Sequence, residues 1–410
     1  MFNSNTVSQI SGTDADLYQI SSTSSPSAGA PPLGTIASKS SPASQCGSGA
    51  TPLAGGSGSS RDYGPVVRRF ALQSAARDLL PRERVAVCLR RPVPGQLVDV
   101  LYAPAARAAH YGGLQTCGSV WHCPVCSAKV SERRRVELSS ALAAWSLDQV
   151  ATPRRLLLVT FTLQHKISDN LAGVLGALKR ARKLLISGKY AVAFTKKYGI
   201  VGMVRTLELT YGDNGWHPHL HVLYFFGAEV PMIPFTDEIK LRWGSAVKSA
   251  GSYASYQYGC DVRFTDADIA EYIAKWGKEP KWTTAHEMTK SVSKYASRDG
   301  RTPLQLLSEY FDGNQASGRL WFQYAVNLKG ERQLRWSRGL RVLLGLEVEK
   351  TDEELAAEQE EIAVILASLS IGAWRVVVAN DARAELLEVA ASGDKDAVFA
   401  FLRLLGVGDL

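Results

Sequence analysis

The chain has 410 residues, 46% of them hydrophobic, and a net charge of +8. That length allows a full core and more than one domain. No apolar run is long enough to span a bilayer, and the N-terminus lacks a basic start followed by an apolar stretch. A soluble cytoplasmic protein is therefore expected, rather than an integral helical membrane protein or a secreted one. Residues 1–60 carry only Asp14, Asp16 and Lys39, and residues 346–410 carry 14 acidic against 5 basic side chains, so the excess of Lys and Arg sits in 61–345. A basic middle suits a polyanion, most simply nucleic acid.

Residues 1–60 are rich in Ser, Gly, Ala, Pro and Thr. Such a stretch buries too little apolar surface to offset chain entropy, and a disordered leader is expected. Residues 61–150 form a second region. Arg61, Arg68, Arg69, Arg77 and Arg82 lie among apolar positions, as in a short basic helix that either meets DNA or is simply solvated. Four of the six cysteines then cluster: Cys88, Cys117, Cys123 and Cys126. Cys123-Pro-Val-Cys126 is a metal knuckle, in which two thiolates three residues apart clasp one ion, and Cys88 and Cys117 complete a tetrahedral structural zinc site. His110 or His122 could replace one cysteine. A redox pair is the alternative, but no βαβ context surrounds the motif. A helix over 128–147 follows, with Glu132, Arg133, Arg134 and Arg135 available for phosphates or for solvent.

Residues 151–280 are read as the functional domain. Leu156–Leu163 is β-branched and aromatic, hence a strand. His165 ends it and is a possible extra site residue. Asp169 or Asn170 caps a helix running to about 187. Two apolar runs then flank Gly212-Asp213-Asn214-Gly215, the pattern of a β-hairpin. In its second strand His217, His219 and His221 share one face. If Tyr211 sits opposite Trp216, Glu208 sits opposite His219 on that same face. Two imidazoles and a carboxylate make a half-open site for a divalent cation, Mg2+ or Mn2+; the bland alternative is a solvated surface strand. Thr236 is expected to cap a helix over 237–250, and Cys260–Phe264 to form a strand. Asp266–Trp276 reads as a helix with Ile269, Ile273 and Trp276 on its apolar stripe and Asp268, Tyr272 and Lys275 on a polar one. This order predicts an α+β fold, an antiparallel sheet covered by helices. Residues 281–345 suggest helical packing and DNA contacts. Residues 346–410 read as an acidic helical tail opened by a Thr351–Glu354 capping box.

The string Gly215-Trp-His-Pro-His-Leu-His-Val-Leu223 resembles the His-hydrophobic-His signature of the HUH endonucleases, in the version found in rolling-circle plasmid replication initiators. The string Cys117-Gly-Ser-Val-Trp-His-Cys-Pro-Val-Cys126 and the segments Arg301–Leu307 and Trp336–Arg341 also resemble that family, over roughly 85–345. The resemblance implies an RNA-recognition-like sheet with the histidine strand central, and four cysteines as the zinc ligands. It implies a metal on His219 and His221 that polarises a scissile phosphate, and Tyr272 as the nucleophile that leaves a 5′-phosphotyrosyl link and a free 3′-OH. Lys275, in Tyr-x-x-Lys, would steady the phenolate or the phosphate. The implied partners are plasmid origin DNA, duplex and single-stranded, and a host helicase and polymerase.

The chain departs from the pattern at two positions. Two-tyrosine enzymes, including many rolling-circle transposases, place a second tyrosine where this chain has Trp276, which favours the one-tyrosine plasmid type. The plasmid initiators carry Glu four residues before the tyrosine, where this chain has Asp268; Asp268, or the neighbouring Glu271, is expected to activate the water that ends replication. A rolling-circle transposase and a non-catalytic zinc protein that binds origin DNA are the competing readings.

Overall fold

Residues 64–147, 155–264, 300–358 and 362–408 are described by the computed structural model. The basic segment forms α1 (Pro65–Leu79), with Pro at the first helical position. Its Phe70, Leu72, Ala75 and Ala76 are buried, and Arg68 donates to Ser308 Oγ at 2.5 Å, so only part of its surface is open to a ligand. A hairpin, β1 (Val98–Ala103) and β2 (Ala108–Gly112), leads to α2 (Pro124–Leu147). The latter starts four residues before the predicted helix, so that Cys126 lies in its first turn.

The main sheet is antiparallel and five-stranded. Its members are β3 (Arg155–Phe161), β4 (Ile200–Gly212), β5 (Gly215–Phe226), β6 (Cys260–Phe264) and β7 (Leu334–Trp336), in the order β6-β3-β5-β4-β7. The histidine strand β5 is therefore central. One face is covered by α3 (Leu171–Leu185), α4 (Gly188–Lys197) and α5 (Met232–Ser249), whose Leu178, Phe194, Phe235 and Trp243 pack on Leu157, Val159, Phe161, Val222 and Tyr224. Asn170, rather than Asp169, caps α3 by accepting from the Gly173 amide. Helix α5 begins a turn before the expected start, with Pro231 at its N-cap and Thr236 inside it, because Phe235 is fully buried and draws the first turn onto the sheet.

Among the described residues, helix packing on the opposite face is confined to one half. Leu138, Leu142 and Trp145 of α2 pack on Leu158, Val204, Leu223 and Phe225, with Trp145 edge-on to Phe225 at 5.2 Å. Among the described residues no helix packs on the other half, which bears the histidines.

Residues 300–358 add α6 (Pro303–Phe311), α7 (Gln315–Leu328), the short α8 (Leu340–Leu343) and α9 (Asp352–Ala357). The Thr351–Glu354 capping box forms as expected. The tail is not wholly helical. Besides α10 (Ile371–Ala379), α11 (Arg383–Ala390) and α12 (Lys395–Leu404) it contains β8 (Val364–Leu369), which pairs antiparallel with β1. Phe70, Val98 and Val100 share one core with Trp374, Leu386 and Val398, so the two regions that the sequence separates, 61–150 and 346–410, pack as one body. No helix among the described residues is long and apolar enough to cross a membrane.

Arg134, expected to face phosphate or solvent, is 6% exposed. It donates to Glu137 at 3.2 Å, to Asp352 at 3.1 Å and to the Lys350 carbonyl at 2.6 Å, tying α2 to the start of α9. Removing one side of a buried charge network strands the rest, so Arg134→Ala is expected to cost about 3–5 kcal/mol. Urea unfolding checks this; a loss below ~1 kcal/mol would mean that the network carries no stability.

Candidate functional site

Strand alternation puts His217, His219 and His221 on the open face of β5, as the sequence predicts. The ladder sets Glu208 opposite His219 and Tyr211 opposite Trp216, with Gly212 paired to Gly215 across the turn. Gly215 has φ +85°, a conformation that favours glycine, and a Cβ there would lie in tight contact, 3.1 Å from Ile167 Cα. The imidazoles run along the strand, with ring centroids 4.1 Å apart for His217 and His219 and 5.9 Å for His219 and His221. His165 closes the row: its ring is 4.6 Å from His217, and its Nδ1 bonds the Asn214 carbonyl at 2.8 Å.

Glu208 faces His219 in register, but its Oε2 meets His221 Nε2 at 2.9 Å, the diagonal contact. The other nitrogen of His221, Nδ1, lies 3.0 Å from Thr160 Oγ1, and His217 Nε2 lies 3.1 Å from Thr162 Oγ1. Both threonines escaped the sequence reading, although their alternation in Val159-Thr-Phe-Thr162 marks them as facing the histidines. The row floors a cleft of about 1230 Å³, edged by Asp261, Arg263, Tyr253 and Tyr258. Arg263 and Gly300 lie on either side of the segment 265–299, and both line the cleft. The predicted nucleophile Tyr272 and its companions Asp268, Glu271 and Lys275 lie in that segment, outside the described residues.

The nitrogen and carboxylate donors are of the kind that a divalent cation accepts. Two ligands at right angles, each about 2.1 Å from an octahedral ion, sit about 3 Å apart, close to the His221–Glu208 separation. To bind through Nε2, His221 must lose any proton there. The Thr160 hydroxyl either donates to or accepts from Nδ1, so it holds the ring in either tautomer.

The four cysteines converge as predicted, all buried, with their sulfurs within 4.8 Å of one another. Sγ–Sγ separations are 3.5 Å for Cys88–Cys126, 3.6 Å for Cys117–Cys126 and 3.8 Å for Cys88–Cys123. Tetrahedral zinc with bonds of about 2.3 Å would space sulfurs by about 3.8 Å, so the cluster could hold that ion. Burial works against a thiolate at Cys123, but hydrogen bonds from the other three cysteines and from the Cys126 amide outweigh it and hold the thiol well below its usual range. Side-chain hydrogen bonds, led by Cys117, push Cys88 and Cys126 the other way. His122 is engaged elsewhere, with Nε2 2.9 Å from the Ala325 carbonyl, and His110 lies outside the four-cysteine group. Behind the cluster Gln73 Nε2 donates to Cys123 Sγ at 3.2 Å. The Gln73 carbonyl in turn accepts from Arg383 at 3.0 Å, whose guanidinium is 1% exposed. Neither partner carries a sequence signal, because the relay joins residues 310 positions apart.

The model of a replication protein family matches residues 113–376, which take in three of the cysteines and the whole histidine hairpin. The chain belongs to that replication protein family. It is similar to "Protein rep" of Streptomyces lividans, 28% identical over 310 residues, covering 59% of this chain and 66% of the relative. It is also similar to the "Neomycin resistance protein" of Streptomyces cyanogenus, 32% identical over 148 residues, covering 30% of this chain and 33% of the relative. The chain thus spans just under two thirds and one third of these curated relatives. No solved structure matches it.

The contacts at His221 make one expectation measurable. With Glu208 ionised and accepting, metal-free His221 carries its proton on Nε2. Long-range 1H–15N NMR of the imidazoles should show that tautomer, and adding a diamagnetic divalent ion such as Mg2+ or Zn2+ should move the proton to Nδ1. An Nδ1–H tautomer before any metal is added would contradict the geometry.

Proposed function

We propose that this protein is a rolling-circle plasmid replication initiator of the HUH type, which nicks one strand of origin DNA through Tyr272. The observation that carries the reading is the placement of His219 and His221 on the open face of the central strand, with Glu208 across the ladder. A cation held by these three groups, Mg2+ or Mn2+, would withdraw charge from the scissile phosphate. Thr160 fixes the ring of His221, so that donor is oriented before DNA enters. Family membership supports a role in replication, and Trp276 in the second tyrosine position supports the plasmid type over a transposase.

In this reading the Tyr272 oxygen attacks the phosphorus. The 3′-oxygen leaves with a proton, and the phosphate stays on the tyrosine as a 5′ ester. The free 3′-OH primes a host polymerase while a helicase opens the duplex. Lys275, three residues on in the sequence, offsets charge on the phenolate or the phosphate. Asp268 or Glu271 activates water for the terminating cut. The cysteine cluster holds structural zinc, with all four positions filled by protein.

The test uses an origin oligonucleotide and a supercoiled origin plasmid. Tyr272→Phe should lose both nicking and the covalent adduct. His219→Ala and His221→Ala should nick at least 100-fold more slowly while duplex binding stays within a few-fold. Asp268→Ala should still form the adduct but accumulate multimeric plasmid. A phosphotyrosyl adduct on the Tyr272→Phe protein would assign the chemistry to another tyrosine, and duplex binding without any cleavage would leave a non-catalytic origin-binding protein.

The zinc assignment has its own measurement. Protein purified without added metal should carry about one zinc per chain, and Cys123→Ser should lose it together with much of its stability. A metal-free parent with the same unfolding midpoint as the variant would refute the assignment.

A further inference from the structure

The back of the main sheet, away from the histidines, carries a second concentration of charge. Arg205 of β4 and Arg335 of β7 are directly opposite each other in the ladder and so share one face. Like charges in that position destabilise a sheet. Helix α3 packs over this face and brings Arg182 beside them, with Lys179 one turn earlier. One carboxylate, Glu331, is shared between Lys179 at 2.8 Å and Arg335 at 3.6 Å. Among the described residues the Arg182 and Arg205 side chains have no hydrogen bond or ion pair, and Arg335 Nε is buried without a partner. Burial, with Arg182 and Arg335 adding to it, lowers Arg205 to about 10. Burial and Arg335 lower Arg182 in the same direction.

A half-buried cluster of three guanidiniums with one shared carboxylate lowers the stability of the free protein. Solvent does not offset it, because the groups are partly withdrawn from water. An anion with several oxygen acceptors would do so, since each guanidinium presents a planar fork that matches phosphate. We propose that Arg182, Arg205 and Arg335 form a phosphate cradle that holds the backbone of DNA on the face of the sheet opposite the histidine cleft. The cradle touches no base edge, so it contributes affinity and register without sequence preference. The inference rests on the reading that the protein acts on DNA, but not on its cutting DNA.

The test is fluorescence anisotropy of a random-sequence 30-base-pair duplex, measured against NaCl with the full-length protein and with Arg205→Gln/Arg335→Gln. One phosphate contact accounts for about 0.9 in the slope of log K against log salt. The double variant should therefore bind about 10-fold more weakly at 0.1 M salt, with a slope shallower by about 1, and should melt at a higher temperature than the parent without DNA. Arg205→Lys, which keeps the charge and loses the fork, should retain the slope and lose part of the affinity; it decides the matter if the double variant folds poorly. The duplex has a random sequence and the buffer contains no divalent ion, so the result does not depend on the nicking reading. Equal slopes and affinities for parent and double variant would overturn the proposal. So would a parent whose melting temperature rises with millimolar inorganic phosphate while its duplex binding is untouched by the substitutions, since the cradle would then serve a free anion.

Discussion

The register of the β4–β5 ladder is the constraint on which the rest depends. Side chains alternate along a strand, so a slip of one residue would turn His217, His219 and His221 into the core and bring Leu220, Val222 and Tyr224 to the cleft. Two things hold the register. The tight turn between Gly212 and Gly215 fixes the pairing at one end, with Gly215 in a conformation that side chains avoid. The apolar set on the other face, packed under α3 and α5, fixes it along the whole length. The energy that orients the site therefore comes from the face that takes no part in it.

Helix α2 links the two candidate metal centres. Cys126 sits in its first turn, and Leu138, Leu142 and Trp145 cover the far half of the histidine face near its other end. At 1.5 Å per residue the helix is a rod of roughly 36 Å. Its start is fixed by the cysteine cluster and its middle by Arg134, so the cover over that half of the sheet is positioned from outside the sheet. Gly118 lets this arrangement close: with φ +63°, a Cβ there would lie 2.7 Å from Glu353 Cα in α9.

What could be read from the sequence was local. The hairpin, its register and the Glu208–His219 pairing followed from turn chemistry and strand alternation, and the cysteine cluster followed from spacing. Tertiary facts were not legible. Nothing in Arg133-Arg-Arg135 shows that the middle residue points inward, because the phase of a helix against its neighbours is set by packing. Val364–Leu369 is a short apolar run that suits a helix or a strand equally, and only pairing with β1 decides. The Glu208–His221 contact depended on side-chain reach rather than register. Gln73 and Arg383 stand behind Cys123 for reasons that involve both ends of the described chain.

The pairing of β8 with β1 also bears on how the chain is made. In the small sheet β2-β1-β8, strand β1 is the middle member, yet its second neighbour is synthesised last. A ribosome adding about 5–20 residues per second takes tens of seconds to pass from residue 103 to residue 364. Throughout that interval β1 presents an open row of amide and carbonyl groups, with Val98 and Val100 still lacking Trp374 and Leu386 as cover. The nascent protein thus carries an unpaired strand edge for most of its synthesis. Chains released before residue 364 keep that edge permanently and are destined for aggregation or proteolysis.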